Sequence, residues 1–183
     1  MDDPNRLPVR ELISEDRIQA RVTELARQVS ADHAGKELLA VGILKGSWVF
    51  LADLVRQLTV PVVIDFMTVS SYGETTETSG VVKIVTDLKC PIEKRHVLVV
   101  DDILDTGLTM KYLLGSLRLR GPESLKVCVL LDKPARRKVD IKPDYVGFEV
   151  PDRFVVGYGV DFAERYRHLP YIGFVEESDG SDK

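Results

Sequence analysis

VLVVDDILDTGLT, residues 97–109, joins an apolar run to three acids, two threonines and a glycine. Val97, Leu98, Val99 and Val100 are what a strand buried on both faces needs. Asp101 and Asp102 are expected to end that strand. Asp105-Thr106-Gly107-Leu108-Thr109 is expected to turn the chain into a helix over 108–119. Successive strand residues point to opposite faces, so the two acids meet one ligand only where the strand has ended. There they could reach a diol or a hydrated divalent cation. Helix-start amides, two Thr hydroxyls and a glycine that admits close backbone approach make a phosphate cradle. One segment thus offers places for a diol and a phosphate on the same molecule, the layout of a pentose 5-phosphate. The plain alternative is a capped helix beside a solvated acid pair.

The flanking sequence supplies the frame. Ser14 can cap a helix that carries Ile18, Val22, Leu25, Ala26 and Val29 at helical spacing and stops near Gly35. Strands are expected at 38–44, 60–69, 81–85, 97–101, 127–131, 145–150 and 154–158. A helix is expected at 48–58, with Trp48 in the core. Ser70–Gly80, SSYGETTETSG, reads as a mobile polar loop, and EESDGSDK at the end as disordered. Strands alternating with helices predict an α/β fold with a mostly parallel sheet. Ligands in such sheets sit beyond the carboxyl ends of the strands. Lys45, Asp101–Thr109 and Lys133 all fall at such ends.

The chain has 183 residues, which fits one domain, with 44% hydrophobic and 30% charged residues. A net charge of -4 argues against nucleic acid as a partner, although Lys133-Pro-Ala-Arg-Arg-Lys138 is a local basic stretch. No apolar run approaches the roughly 20 residues of a membrane helix, so no membrane is expected. The start, MDDPNRLPVRE, lacks the layout of a signal peptide, so a cytoplasmic location is expected. Cys90 and Cys128 have no metal-ligand spacing and read as reduced thiols. Taken singly, Lys45, Lys133 and Arg136–Lys138 read as solvated, Arg165 and Arg167 as surface ion pairs, and Phe154 and Val155 as core.

VLVVDDILDTGLT resembles the ribose-phosphate motif of type I phosphoribosyltransferases. Residues 130–173, beginning LLDKPARRK, resemble the hypoxanthine-guanine branch. ILKGS at 43–47 resembles its pyrophosphate loop and SSYGETTETSG its closing lid. The resemblance spans about 10–175. It implies the type I fold, a central twisted, mostly parallel sheet flanked by helices. It also implies one domain, with its core at about 36–150. A small hood would come from the chain ends, about 1–20 and 150–175, with 176–183 a disordered tail.

The activity implied is transfer of the 5-phosphoribosyl group of phosphoribosyl pyrophosphate to hypoxanthine and guanine, with Mg²⁺ as cofactor. Asp101 and Asp102 would hold the ribose hydroxyls, directly or through Mg²⁺. Asp105, Thr106, Gly107, Leu108 and Thr109 would cradle the 5-phosphate. Lys45, Gly46 and Arg167 would bind pyrophosphate. Lys133 would donate to the 6-oxygen of the purine, Phe154 would stack on the ring, and Val155 would meet its edge. Asp161 would help at the purine and position a second Mg²⁺, and Ser71 and Tyr72 would belong to the lid. Asp105 would accept the proton of the purine imidazole nitrogen. Many members carry Glu at the position of Asp101; a bridging water can fill the gap of about one methylene. A homodimer or homotetramer is implied. The rivals are a regulatory RNA-binding protein on the same fold, a xanthine-preferring enzyme and a phosphoribosyl pyrophosphate synthetase.

Overall fold

The computed structural model describes residues 8–71 and 82–175. In chain order the first elements are β1 (Val9–Ile13), α1 (Glu15–Asp32), β2 (Leu38–Leu44), α2 (Trp48–Val55) and β3 (Val62–Ser71). Next come β4 (Val82–Thr86), β5 (His96–Leu104), α3 (Leu108–Arg118) and β6 (Ser124–Asp132). The last are β7 (Tyr145–Glu149), β8 (Val155–Val156) and β9 (Ile172–Val175).

Six strands form the central sheet in the order β4-β3-β2-β5-β6-β7. Every neighbouring pair is parallel except β3 with β4. Alternate residues of each strand feed two cores. Leu38, Ala40, Leu98, Val100, Cys128 and Leu130 pack under α1 and α2. Leu39, Val41, Val97, Val99, Val127 and Val129 pack under α3 with Met110, Leu113 and Leu117. This two-sided burial is why the strands read as unbroken apolar runs. A second, antiparallel sheet, β1-β9-β8, is built from residues near both ends of the described chain.

Strand order reverses between β2 and β5. The chain passes from β2 outward to β3, then returns to lay β5 on the other side of β2. In open α/β sheets ligands settle in the crevice at such a switch point, beyond the carboxyl ends. The turns after β2, β5 and β6 therefore stand side by side there.

Several boundaries differ from expectation. β5 does not end at the acid pair. It runs to Leu104, because β6 continues beside it and the ladder holds through Ile103↔Leu131 and Leu104↔Asp132. The strand expected at 154–158 shrinks to Val155–Val156, because Gly157, Tyr158 and Gly159 all take left-handed φ, at 99°, 49° and 101°. α2 stops at Val55 rather than 58. Ser14 precedes α1 without a side-chain capping bond. Trp48 is 50% exposed rather than core. The polar loop expected at 70–80 lies almost wholly outside the described residues, and the tail from 176 lies wholly outside them.

Candidate active site

Asp101 and Asp102 are consecutive residues inside β5, yet their carboxyl groups interact, and Asp101 Oδ1 also accepts the amide of Asp102 at 3.0 Å. Both side chains open onto the rim but are crowded by protein. Burial pushes the Asp101 pKa well above the usual carboxylate range, and the charge of Asp102 pushes the same way. Burial raises Asp102 too, against the pull of its hydrogen bonds and of Arg167. Gly46, in the turn after β2, lies flat against this pair. A Cβ there would stand 1.7 Å from Asp102 Oδ2. Two carboxylates that resist ionising together are suited to diol donors or to a hard dication. Among the described residues no group of three or more His, Cys, Asp or Glu could hold a metal. A cation at this pair would complete its shell from substrate and water oxygens, as Mg²⁺ commonly does. Asp161 is engaged elsewhere, as described below.

The following turn forms the second half of the rim. Gly107 takes φ 81° immediately before α3, a conformation that favours glycine. A Cβ at Gly107 would also meet Val139 Cγ2 at 2.9 Å. Leu108 N reaches Thr106 Oγ1 at 3.4 Å. The opening amides of a helix have no acceptor inside it, and here Thr106, Leu108 and Thr109 stand half-buried around them. That geometry is suited to an anion. Two backbone bonds tie the turn to the segment after β6, Lys138 N to Thr106 O at 2.9 Å and Lys133 N to Leu104 O at 3.0 Å.

Asp105 is the acid between these two halves. Arg136 Nε stands 3.0 Å from Asp105 Oδ1, an ion pair whose angle makes no hydrogen bond. That oxygen is shut off from solvent and accepts no hydrogen bond. Arg136 also reaches Asp152 at 3.3 Å. Arg137 donates to Asp105 O at 2.8 Å and pairs closely with the buried Asp132. The stretch at 133–138 is therefore not a free cationic patch. Its arginines are committed to Asp105, Asp132 and Asp152. Lys133 is buried, and its ammonium donates to Arg153 O at 2.7 Å. Burial lowers the Lys133 pKa, while Asp105 and Asp152 pull it back up.

On the other side of the crevice Lys45 extends from the turn after β2 to Glu164, Nζ to Oε2 2.9 Å. Lys45 and Arg167 hold Glu164 below its usual pKa. Arg167 donates to Gly159 O at 2.9 Å and pairs with Asp161 at 2.8 Å. Asp161 Oδ2 accepts the amide of Glu164 at 2.8 Å. Lys45, Asp161, Glu164 and Arg167 thus form one charged cluster facing Gly46 and Asp102. Phe154 is 68% exposed and meets Phe162 edge to face at 6.2 Å. Val155, beside it, is buried. An exposed ring next to a buried lysine is a surface on which a flat heterocycle can stack. Ser71 is the last residue of β3, opposite Val82, and Tyr72 lies outside the described residues.

Sequence reasoning missed Glu164, Asp152 and Asp132. The signal available was Asp132, an acid directly before the basic stretch.

Comparison with known proteins agrees with this geometry. The phosphoribosyl transferase domain family matches residues 10–163. The chain is 52% identical over 165 residues to the hypoxanthine-guanine phosphoribosyltransferase of Bacillus subtilis, covering 90% of this chain and 92% of that one. It is 51% identical to the hypoxanthine phosphoribosyltransferase of Salmonella typhimurium, covering 90% and 93%. Among solved structures it is similar to a hypoxanthine-guanine phosphoribosyltransferase from Bacillus anthracis crystallised with HEPES in the active site. That likeness has a TM-score of 0.89 and 48% identity, over 93% of this chain and 100% of that one.

Proposed function

This chain belongs to the phosphoribosyltransferase family, and we propose that it is a purine-salvage enzyme that transfers the phosphoribosyl group of phosphoribosyl pyrophosphate to hypoxanthine, and to guanine, releasing pyrophosphate. The observation that carries the reading is the meeting of three strand ends at the switch point. An acid pair lies against Gly46, an anion-receiving turn follows it, and a buried lysine stands beside an exposed ring.

In this reading the ribose hydroxyls lie on Asp101 and Asp102, and the 5-phosphate on the amides and hydroxyls of Thr106–Thr109. Pyrophosphate faces Lys45, Gly46 and Arg167. The purine stacks on Phe154, its edge on the Val155 backbone and its 6-oxygen toward Lys133. Asp161 orients Arg167. Breaking the sugar–pyrophosphate bond builds positive charge on the ring and negative charge on the leaving group. Lys45 and Arg167 offset the latter without moving a proton. Mg²⁺ bound at Asp101 and Asp102 would supply further positive charge to the leaving group. Asp105 accepts the imidazole proton of the purine, with Arg136 drawn aside toward Asp152, which it already touches. The same family reading supports a cytoplasmic homodimer or homotetramer.

The test is direct. The protein is incubated with phosphoribosyl pyrophosphate and hypoxanthine, guanine, xanthine or adenine, with Mg²⁺ or with a chelator. Nucleotide should form from hypoxanthine and guanine, and only with the metal. Conversion of no base under any condition would sink the proposal, and conversion of xanthine alone would correct its substrate.

A further inference from the structure

The pyrophosphate side of the crevice has two walls. One is the turn after β2 that carries Lys45 and Gly46. The other is the loop from Gly157 to Arg167. They meet backbone to backbone: a Cβ added at Gly159 would stand 2.2 Å from Gly46 O. The loop follows β8 of the end-built layer, and its Tyr158 and Val160 are buried in the core that also holds α2. Tyr158 and Asp53 supply a connection. The phenol of Tyr158 donates to Asp53 Oδ2 at 2.6 Å, and Gln19 Nε2 donates to the same oxygen at 3.1 Å. Asp53 sits on α2, the helix that begins two residues after Gly46. Ser47 anchors the start of that helix through Oγ to Ile43 O at 2.7 Å.

The backbone at Tyr158 calls for such a tie. It takes φ 49°, a left-handed conformation unfavourable for a residue with a large side chain. Glycine flanks it on both sides, and a Cβ at Gly157 would stand 2.0 Å from Tyr171 O. Tyr158 N to Leu169 O at 2.8 Å and Gly159 N to Arg167 O at 2.9 Å hold the loop to itself. The buried phenol adds a hydrogen bond to the helix that carries the opposite wall, beside the Lys45–Glu164 ion pair across the walls.

We propose that Tyr158 and Asp53 brace the two walls of the pyrophosphate site, making Tyr158 a positioning residue for pyrophosphate-bearing ligands. The inference rests on the reading that pyrophosphate lies between Lys45, Gly46 and Arg167. It follows that the brace acts on phosphoribosyl pyrophosphate and pyrophosphate. Its effect on the purine should be smaller, because Lys133 is carried by the segment after β6 and Val155 is held by the pairing of β8 with β9.

Steady-state kinetics in both directions test it, on Tyr158→Phe, Asp53→Asn, Asp53→Ala and the Phe–Ala double variant, with thermal midpoints measured alongside. Loss of one hydrogen bond should raise the KM of phosphoribosyl pyrophosphate and of pyrophosphate roughly five- to tenfold in Tyr158→Phe. The hypoxanthine KM should stay within about twofold. Asp53→Asn keeps an acceptor for the phenol and should behave like the parent. Asp53→Ala should match Tyr158→Phe, and the double variant should be no worse than either single one. Parental pyrophosphate constants in Tyr158→Phe, an equal rise for hypoxanthine, or additive effects in the double variant would each overturn the brace. Lys45→Ala, run in parallel, separates the two layers of the argument. If it leaves the pyrophosphate KM unchanged, the placement of pyrophosphate is at fault; if it raises that KM while Tyr158→Phe is silent, only the brace fails.

Discussion

Asp105 and Arg136 stand 3.0 Å apart, Oδ1 to Nε, between the turn before α3 and the segment after β6. The contact partly neutralises a carboxylate oxygen that accepts no hydrogen bond. A carboxylate oxygen with no hydrogen bond of its own can accept a proton from a ligand once Arg136 moves aside. Asp105→Asn should therefore lower kcat by about 10²–10⁴, the range a positioned base supplies. KM for either substrate should change little by comparison. Rapid-quench measurement of a single turnover checks that the loss lies in the chemical step.

Gly46 leaves no room for a side chain beside the Asp102 carboxylate. Gly46→Ala should displace that carboxylate, since the new Cβ would stand 1.7 Å from Oδ2. Affinity for phosphoribosyl pyrophosphate with Mg²⁺ should fall at least about tenfold, roughly the loss of one charge-assisted contact. Binding of the purine to the same variant, measured by fluorescence, should stay near parental.

Lys133 is a buried ammonium with its proton aimed at a backbone carbonyl, Arg153 O. Lys133→Met removes that donor while keeping length and apolar packing. A hydrogen bond to a charged group contributes about 1.5–3 kcal/mol, so KM for hypoxanthine should rise by about ten- to a hundredfold. KM for phosphoribosyl pyrophosphate should be nearly unchanged.

Asp65 lies in β3 away from the crevice and makes a separate prediction about stability. It is buried and accepts three amides at 2.8 Å, from Phe66, Lys89 and Cys90. Burial pushes its pKa up, but these amides outweigh burial and hold it below the usual value. A lowered native pKa gives stability that is present above the unfolded value of about 3.9 and is lost as pH falls through the native value. Asp65→Asn should cost about 1–3 kcal/mol at pH 7. Chemical denaturation at pH 7 and then at successively lower pH should show the gap closing only in strong acid.

The central sheet was legible because burial on both faces writes strands as uninterrupted apolar runs, as in Leu38–Leu44 and Val97–Val100. The polar residues at their carboxyl ends were legible for the same reason, since each breaks such a run. What escaped was set by neighbours in space. β5 runs past its acids because β6 lies beside it. Val155–Val156 is short because three left-handed residues follow, and Tyr158 in that position carries no turn signal of its own. Trp48 reads as core by hydrophobicity, yet α2 begins at the rim and leaves it half exposed. The pairings of Arg136 and Arg137 depend on acids that only the fold brings together.

The central claim is that a pentose phosphate lies along the rim from Asp101 to Thr109 with a metal at its diol end. Isothermal titration of phosphoribosyl pyrophosphate tests it most directly, using the parental protein and an Asp101→Asn, Asp102→Asn double variant, each with and without Mg²⁺. The account predicts tight binding to the parental protein only when Mg²⁺ is present, and loss of that metal-dependent gain in the double variant. Equal binding by both proteins, with the same response to the metal, would contradict it.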